Sequence, residues 1–197
     1  TQAGVNAINA MLAARGLPLI DVPYYRDVFG FPVINFYRAI GFPVEREDWD
    51  AVAREFHDLF LADHSIRLHD HAAQALDCFR AAGIGQSILS ASEQGILTSM
   101  LDAYGIAHYF GDVCGVDNLY GQSKRELGRT LVSRLGIDPA ALLVIGDSLH
   151  DHEVSQDLGT NCLLIAQGHQ SHARLAQCGA PVLNSLADVP AWLAAAQ

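Results

Sequence analysis

The sequence predicts an α/β fold: a doubly wound, Rossmann-like parallel sheet over residues 69–197 joined to a helical domain over residues 1–68. Three observations predict it. Up to about residue 68 apolar residues recur at helical spacing and no strand-like run intervenes. From Asp70 onward, helical stretches alternate with short apolar runs, as βαβ units do. Those runs are apolar throughout instead of alternating with polar residues, the mark of strands covered on both faces.

The elements follow in order. Val5, Ile8, Met11 and Leu12 share one helix face ahead of Gly16, and Trp49, Val52, Phe56, Leu59 and Phe60 do the same later. Asp70 is expected to cap a helix through Leu76 and Phe79 that stops at Gly83, with a strand at Gln86 to Ser90. Ser92 is placed to cap the next helix, which carries Ile96, Leu97, Met100 and Leu101 and ends near Gly105. After an extended piece at Phe110 to Gly115, Ser123-x-x-Glu126 forms a capping box ahead of Leu127, Leu131 and Leu135. Leu142 to Ile145 is the clearest buried strand. Val154 and Leu158 belong to a helix closed by Gly159, Asn161 to Ile165 is a further strand, and Val182 begins a last one.

The 197 residues carry a formal charge of -10, and half are apolar. A chain of that length builds a substantial core. Lys124 is its only lysine, and no basic stripe exists to neutralise a run of phosphates, which argues against a nucleic-acid partner. No apolar run is long enough for a membrane span, so no membrane partner is expected. Cys78, Cys114, Cys162 and Cys178 include no C-x-x-C pair and fit reduced thiols in a cytoplasmic protein.

Chemistry concentrates at the carboxyl ends of the strands, where ligands gather in a doubly wound sheet. The run Val144-Ile145-Gly146-Asp147-Ser148-Leu149-His150-Asp151 puts two carboxylates at a strand exit. Such a pair can hold Mg2+, which prefers oxygen ligands and keeps several waters; an ordinary acidic surface turn has the same pattern. Lys124 stands at a helix start, where the macrodipole disfavours a cation by ~0.3 to 1 kcal/mol. A nearby carboxylate or phosphate reverses that penalty. Ser90 presents a hydroxyl at the end of the first apolar strand, with Ala91 beside it. His69-Asp70-His71 and His150-Asp151-His152 place each histidine pair two positions apart, which on a helix points the rings to different faces and argues against a transition-metal site. Gly168-His169-Gln170 follows a strand and should lie near the same rim.

Strand then Ser90, helix-start Lys124, strand then Gly146-Asp147-Ser148-x-x-Asp151: this order resembles motifs II, III and IV of the haloacid dehalogenase superfamily. The helical first third resembles the inserted cap of its phosphoglycolate phosphatase-like branch. The resemblance implies that Ser90 and Ala91 contact the transferring phosphoryl group, that Lys124 neutralises charge, and that Asp147 and Asp151 bind or position Mg2+. Gly30-Phe31-Pro32 and Phe36-Tyr37-Arg38 resemble the cap segment that faces the site, which makes Arg38 a candidate for a substrate carboxylate or phosphate. The implied function is a Mg2+-dependent phosphatase acting on a small phosphorylated metabolite such as phosphoglycolate. A phosphosugar mutase shares the core. Haloacid dehalogenation would leave the Asp147/Asp151 pair without purpose, and a cap-lysine Schiff base is excluded because residues 1–123 contain no lysine.

The superfamily's nucleophile motif, Asp-x-Asp-Gly-Thr, occurs nowhere in these residues, and no aspartate precedes Asp21. Its strand belongs in the middle of the sheet, between those ending at Ser90 and Ile145, and its loss would leave backbone groups unpaired there. The chain also starts at Thr1 instead of Met. The expectation is therefore a sequence lacking its amino-terminal segment, inactive without the nucleophile; the alternative is a catalytically inactive phosphate-binding protein of the same fold.

Overall fold

A computed structural model of the chain describes residues 1–120 and 124–196. Four helices come first: α1 (Gln2–Ala14), α2 (Val22–Val28), α3 (Val33–Ala39) and α4 (Trp49–Leu61). The apolar residues that recur along α1 and α4 turn inward to one cluster with Tyr25, Phe29, Phe36 and Tyr37, and Met11 and Leu12 are wholly buried in it. Asp21 caps α2, its carboxylate accepting the Tyr24 amide at 2.8 Å. Arg15 joins α1 to the α4 side through Glu47 and Glu55, at 2.6 and 2.7 Å.

After α5 (Ala72–Ala81) strands and helices alternate: β1 (Ser87–Glu93), α6 (Gln94–Ala103), β2 (Asp112–Val116), α7 (Arg125–Leu135), β3 (Leu143–Gly146), α8 (Leu149–Leu158), β4 (Asn161–Ile165), α9 (His172–Leu175), β5 (Val182–Leu183) and α10 (Val189–Ala196). A second buried cluster packs Ala75 and Phe79 of α5 on Leu163 and Ile165 of β4 and on Val189 and Leu193 of α10. Every strand pairing is parallel. β1 pairs with β2, Leu89 opposite Cys114, while β4 lies between β3 and β5, with Val144 opposite Cys162 and Leu164 opposite Val182.

No ladder joins β1 to β3 among the described residues. The sheet is interrupted between the strands that carry Ser90 and Ile145, which is where the sequence leads one to expect a strand that these residues do not supply. Ile145 is 38% exposed, high for an apolar residue on a strand of this kind. Helix α7 spans the interruption closely: a Cβ on Gly128 would come within 2.9 Å of Leu158 Cδ1 and 3.1 Å of Leu89 Cδ2. A larger residue there would require the Leu158 and Leu89 side chains to shift.

Two helix starts differ from expectation. The helix after Asp70 begins at Ala72, and His71 enters it in the left-handed region (φ 66°), so Asp70 does not cap it. The first strand runs beyond Ser90 to Glu93, and Glu93 rather than Ser92 caps α6, its two carboxylate oxygens each accepting an amide, of Gly95 and Ile96, at 2.9 Å. A carboxylate that satisfies two of the four orphan donors outcompetes a single hydroxyl. Ser123, the head of the expected capping box, lies outside the described residues.

Candidate active site at the strand exits

The strand pairing of β1 slips between Leu89 and Glu93. The slip leaves Ser90, Ala91 and Ser92 as a bulge at the strand exit, and bulges re-aim side chains beside functional sites. Ser90 Oγ accepts the Ser92 amide at 3.1 Å, which fixes the loop.

At the exit of β3, Asp151 folds back from the first turn of α8. Its Oδ2 accepts the amides of Asp147 and Ser148 at 3.1 and 3.0 Å and the Ser148 hydroxyl at 2.7 Å. Gly146 makes room for it, since a Cβ there would lie 2.2 Å from Asp151 Cβ. The other oxygen faces Lys124 Nζ at 2.7 Å, and Nζ also donates to the Leu89 carbonyl at 3.0 Å. One ammonium thus ties the exit of β1 to the start of α8 across the interrupted sheet. The pair is nearly enclosed, with side chains 13% and 7% exposed. Burial opposes ionisation of Asp151, but the Lys124 ammonium and the Ser148 and Asp147 hydrogen bonds outweigh it and hold the carboxyl below its ordinary range. Lys124 occupies the N-cap position of α7, and these partners offset the macrodipole there.

Asp147 is engaged differently. Its Oδ2 accepts the His169 amide at 2.8 Å, while Oδ1 has no hydrogen-bond partner among the described residues. A Cβ on Gly168 would fall 1.7 Å from Oδ2, so the loop approaches this closely only with glycine. The next residues bind the two halves of the molecule. His169 stacks on Phe29 with ring centres 4.5 Å apart and pairs with the Tyr25 hydroxyl at 2.7 Å. Burial first, then the Asp147 charge, pushes the Tyr25 phenol well above its usual range, so its hydroxyl keeps its proton. Gln170, 1% exposed, accepts the Leu149 amide and donates to the Phe29 carbonyl, both at 2.8 Å.

Ser90, Ala91, Lys124, Asp147 and Asp151 all border one cavity of about 380 Å3 between the strand exits and the helical half. Arg38 is not brought there. It pairs with Glu45 at 2.7 Å and with Asn35, half exposed, because α3 turns Phe36 and Tyr37 into the core and residue 38 outward. His150 is buried against Phe31, ring centres 4.8 Å apart, and its Nε2 has no hydrogen-bond partner among the described residues. What the sequence reading missed is the aromatic wall, including Trp49, Phe56 and Tyr120, and the part played by Gly168 and His169. The loop after β4 had a signal, since it leaves the strand beside β3 at the same sheet edge.

The donor set bears on whether a cation fits. Among the described residues no group of three or more histidines, cysteines or acids is placed to hold a metal ion. Asp151 has both oxygens engaged, which leaves Asp147 Oδ1 as the unclaimed carboxylate oxygen. Mg2+ takes one or two carboxylates and completes its shell with waters and substrate oxygens, so the residues fit a partial Mg2+ shell centred on Asp147.

An interrupted parallel sheet with a lysine-braced acid motif at its carboxyl edge and helices facing it defines an α/β scaffold with its site at the strand exits. The haloacid dehalogenase-like hydrolase family model matches residues 1–165, and the chain belongs to that family. It is 25% identical to a phosphoglycolate phosphatase of Caulobacter vibrioides over 94% of this chain and 81% of that one. It is 27% identical to an N-acetylmuramic acid 6-phosphate phosphatase of Pseudomonas aeruginosa over 81% of this chain and 73% of that one. Among solved structures, a family hydrolase from Deinococcus radiodurans with bound phosphate and sodium superposes with a TM-score of 0.70 at 25% identity, covering 98% of this chain and 89% of that one. No helix among the described residues is long and apolar enough to cross a membrane.

Proposed function

We propose that the cavity is the phosphate-ester site of a Mg2+-dependent phosphatase acting on a small phosphorylated metabolite. The observation that carries this reading is Lys124, held at 2.7 Å from Asp151 and 3.0 Å from the Leu89 carbonyl at the cavity wall, beside the Ser90 bulge. Phosphoryl transfer depends on positioning and on neutralising the equatorial oxygens. The Ser90 hydroxyl and the Ala91 amide donate to those oxygens, and Lys124 supplies positive charge. Asp147 holds Mg2+ through its open oxygen, and Asp151 keeps Lys124 in place. Mg2+, when bound, adds charge neutralisation and orients the phosphate. The phosphate bound in the Deinococcus radiodurans relative supports the assignment.

The cavity borders on no carboxylates other than Asp147 and Asp151 among the described residues. The aspartate that would take the phosphoryl group is therefore not among these residues, and the 197-residue chain is expected to bind phosphate without turning over an ester. Calorimetric titration with inorganic phosphate and Mg2+ tests this. Binding should weaken about tenfold or more in Asp147→Asn and in Lys124→Met, as loss of a charge-assisted contact implies. Affinity unchanged in both variants, or turnover of 4-nitrophenyl phosphate by the chain itself, would overturn the reading.

A further inference from the structure

We propose that the leaving group this site accepts is uncharged and carries an aromatic or broad apolar face, and that small esters bearing a second anion are poor ligands. The inference rests on the phosphate-site reading above and adds what the rest of the cavity selects. Away from Ser90 and Lys124 the wall is built from Phe31, Trp49, Phe56, Phe60, Ile96 and Tyr120. The tyrosine hydroxyls on this wall are engaged elsewhere. Tyr120 donates its hydroxyl to Asp50 at 2.9 Å and Tyr37 to the Met11 sulfur at 3.8 Å, so ring faces are what these two turn toward a ligand.

Cations are few on the same wall, and the α-amino group of Thr1 stands at its Asp147 end. Among the described residues no arginine borders the cavity, and the lysine that does is paired with Asp151. Three arginines of the helical half are tied down: Arg15 to Glu47 and Glu55, Arg26 to the carbonyls of Gln167 and Gly168, and Arg38 to Glu45. On the aromatic side of the chamber a second carboxylate, such as that of 2-phosphoglycolate, would lose its water and meet neither an arginine nor an unpaired lysine, whereas a flat ring would meet matching faces. A cavity of about 380 Å3 has room for one such ring together with the phosphate.

The test is binding to the chain as it stands, in Mg2+, read by quenching of tryptophan fluorescence and by calorimetry. 4-Nitrophenyl phosphate should bind about tenfold more tightly than 2-phosphoglycolate. Phe56→Ala and Trp49→Leu should erase most of that preference while leaving the affinity for inorganic phosphate unchanged. 4-Nitrophenol alone should compete with the aryl ester but not with inorganic phosphate. Equal or tighter binding of 2-phosphoglycolate overturns the proposal, and so does an aryl preference that survives both substitutions. If inorganic phosphate fails to bind while 4-nitrophenol still binds in a Phe56-dependent way, the aromatic chamber stands and the phosphatase reading falls.

Discussion

Replacing Asp151 with asparagine isolates what the buried ion pair does for the fold. The amide keeps the size of the side chain and an oxygen for the Ser148 and Asp147 amides, but it leaves the Lys124 ammonium without its counter-charge. Lys124 is 13% exposed and Asp151 7%, so water screens the pair little. Breaking a buried pair by removing one partner costs about 3 to 5 kcal/mol. Because Lys124 keeps the Leu89 carbonyl at 3.0 Å, the lower end applies, about 3 kcal/mol on the same scale.

At roughly 2 to 4 °C per kcal/mol for a chain of this size, Asp151→Asn should melt about 6 to 12 °C below the parent. Urea unfolding followed by tryptophan fluorescence measures the free energy. The double variant Lys124→Met with Asp151→Asn should recover part of the loss, since the stranded charge is gone, with a coupling of about 2 kcal/mol. A single-variant loss below about 1 kcal/mol, or single effects that simply add, would refute the claim that this pair braces the interrupted sheet.

Protonation should reproduce the same loss. The Asp151 carboxyl is held below its unfolded value of 3.8, so its contribution is complete above that value and disappears as pH falls through the lower folded value. The deficit of Asp151→Asn relative to the parent should accordingly stay constant from about pH 8 to pH 5 and shrink in more acid solution, as urea titrations at each pH will show; a deficit that grows in acid contradicts the assignment. Gly168→Ala drives a Cβ to 1.7 Å from Asp147 Oδ2 and must displace the loop or the carboxylate. Mg2+-dependent phosphate binding should fall about tenfold or more by calorimetry, and undiminished binding would show that Asp147 is not the ligand. Arg38→Ala should leave the melting temperature and ligand affinities unchanged within error, because the Glu45 pair it loses is exposed and screened by water.

How far the sequence reveals these features depends on how local their causes are. Helices α1 and α4, strand β4 and the closures at Gly83 and Gly159 follow from periodicity, apolar runs and glycine placement within a few residues of each other. The convergence of Ser90, Ala91, Lys124, Asp147 and Asp151 was legible too, since strand ends in a parallel sheet share an edge. Arg38 misled because sequence shows that a helix carries an arginine near aromatic residues but not which face meets the core; burial of Phe36 and Tyr37 settles that. The aromatic wall was hidden for a related reason. Trp49 and Phe56 sit in a helix whose periodic pattern reads as core, and only the packing shows which of those rings stop short of burial and border the cavity.

The acid motif itself separates into two tasks once donors are counted. Asp151 receives two amides and one hydroxyl on Oδ2 and one ammonium on Oδ1, so both of its oxygens are engaged. Drawing such a group onto a metal ion would pull it from the Asp147 and Ser148 donors and leave Lys124 with only the Leu89 carbonyl. Asp147 receives one amide on one oxygen and keeps the other open. The two aspartates therefore belong to different parts of the machine although they stand in one turn: Asp147 is the one that can exchange a water or an ion, and Asp151 is the one whose charge must stay fixed for Lys124 to stand between β1 and α8. It follows that the two asparagine substitutions should separate experimentally, Asp147→Asn weakening phosphate and Mg2+ binding with little change in melting, and Asp151→Asn lowering the melting temperature first.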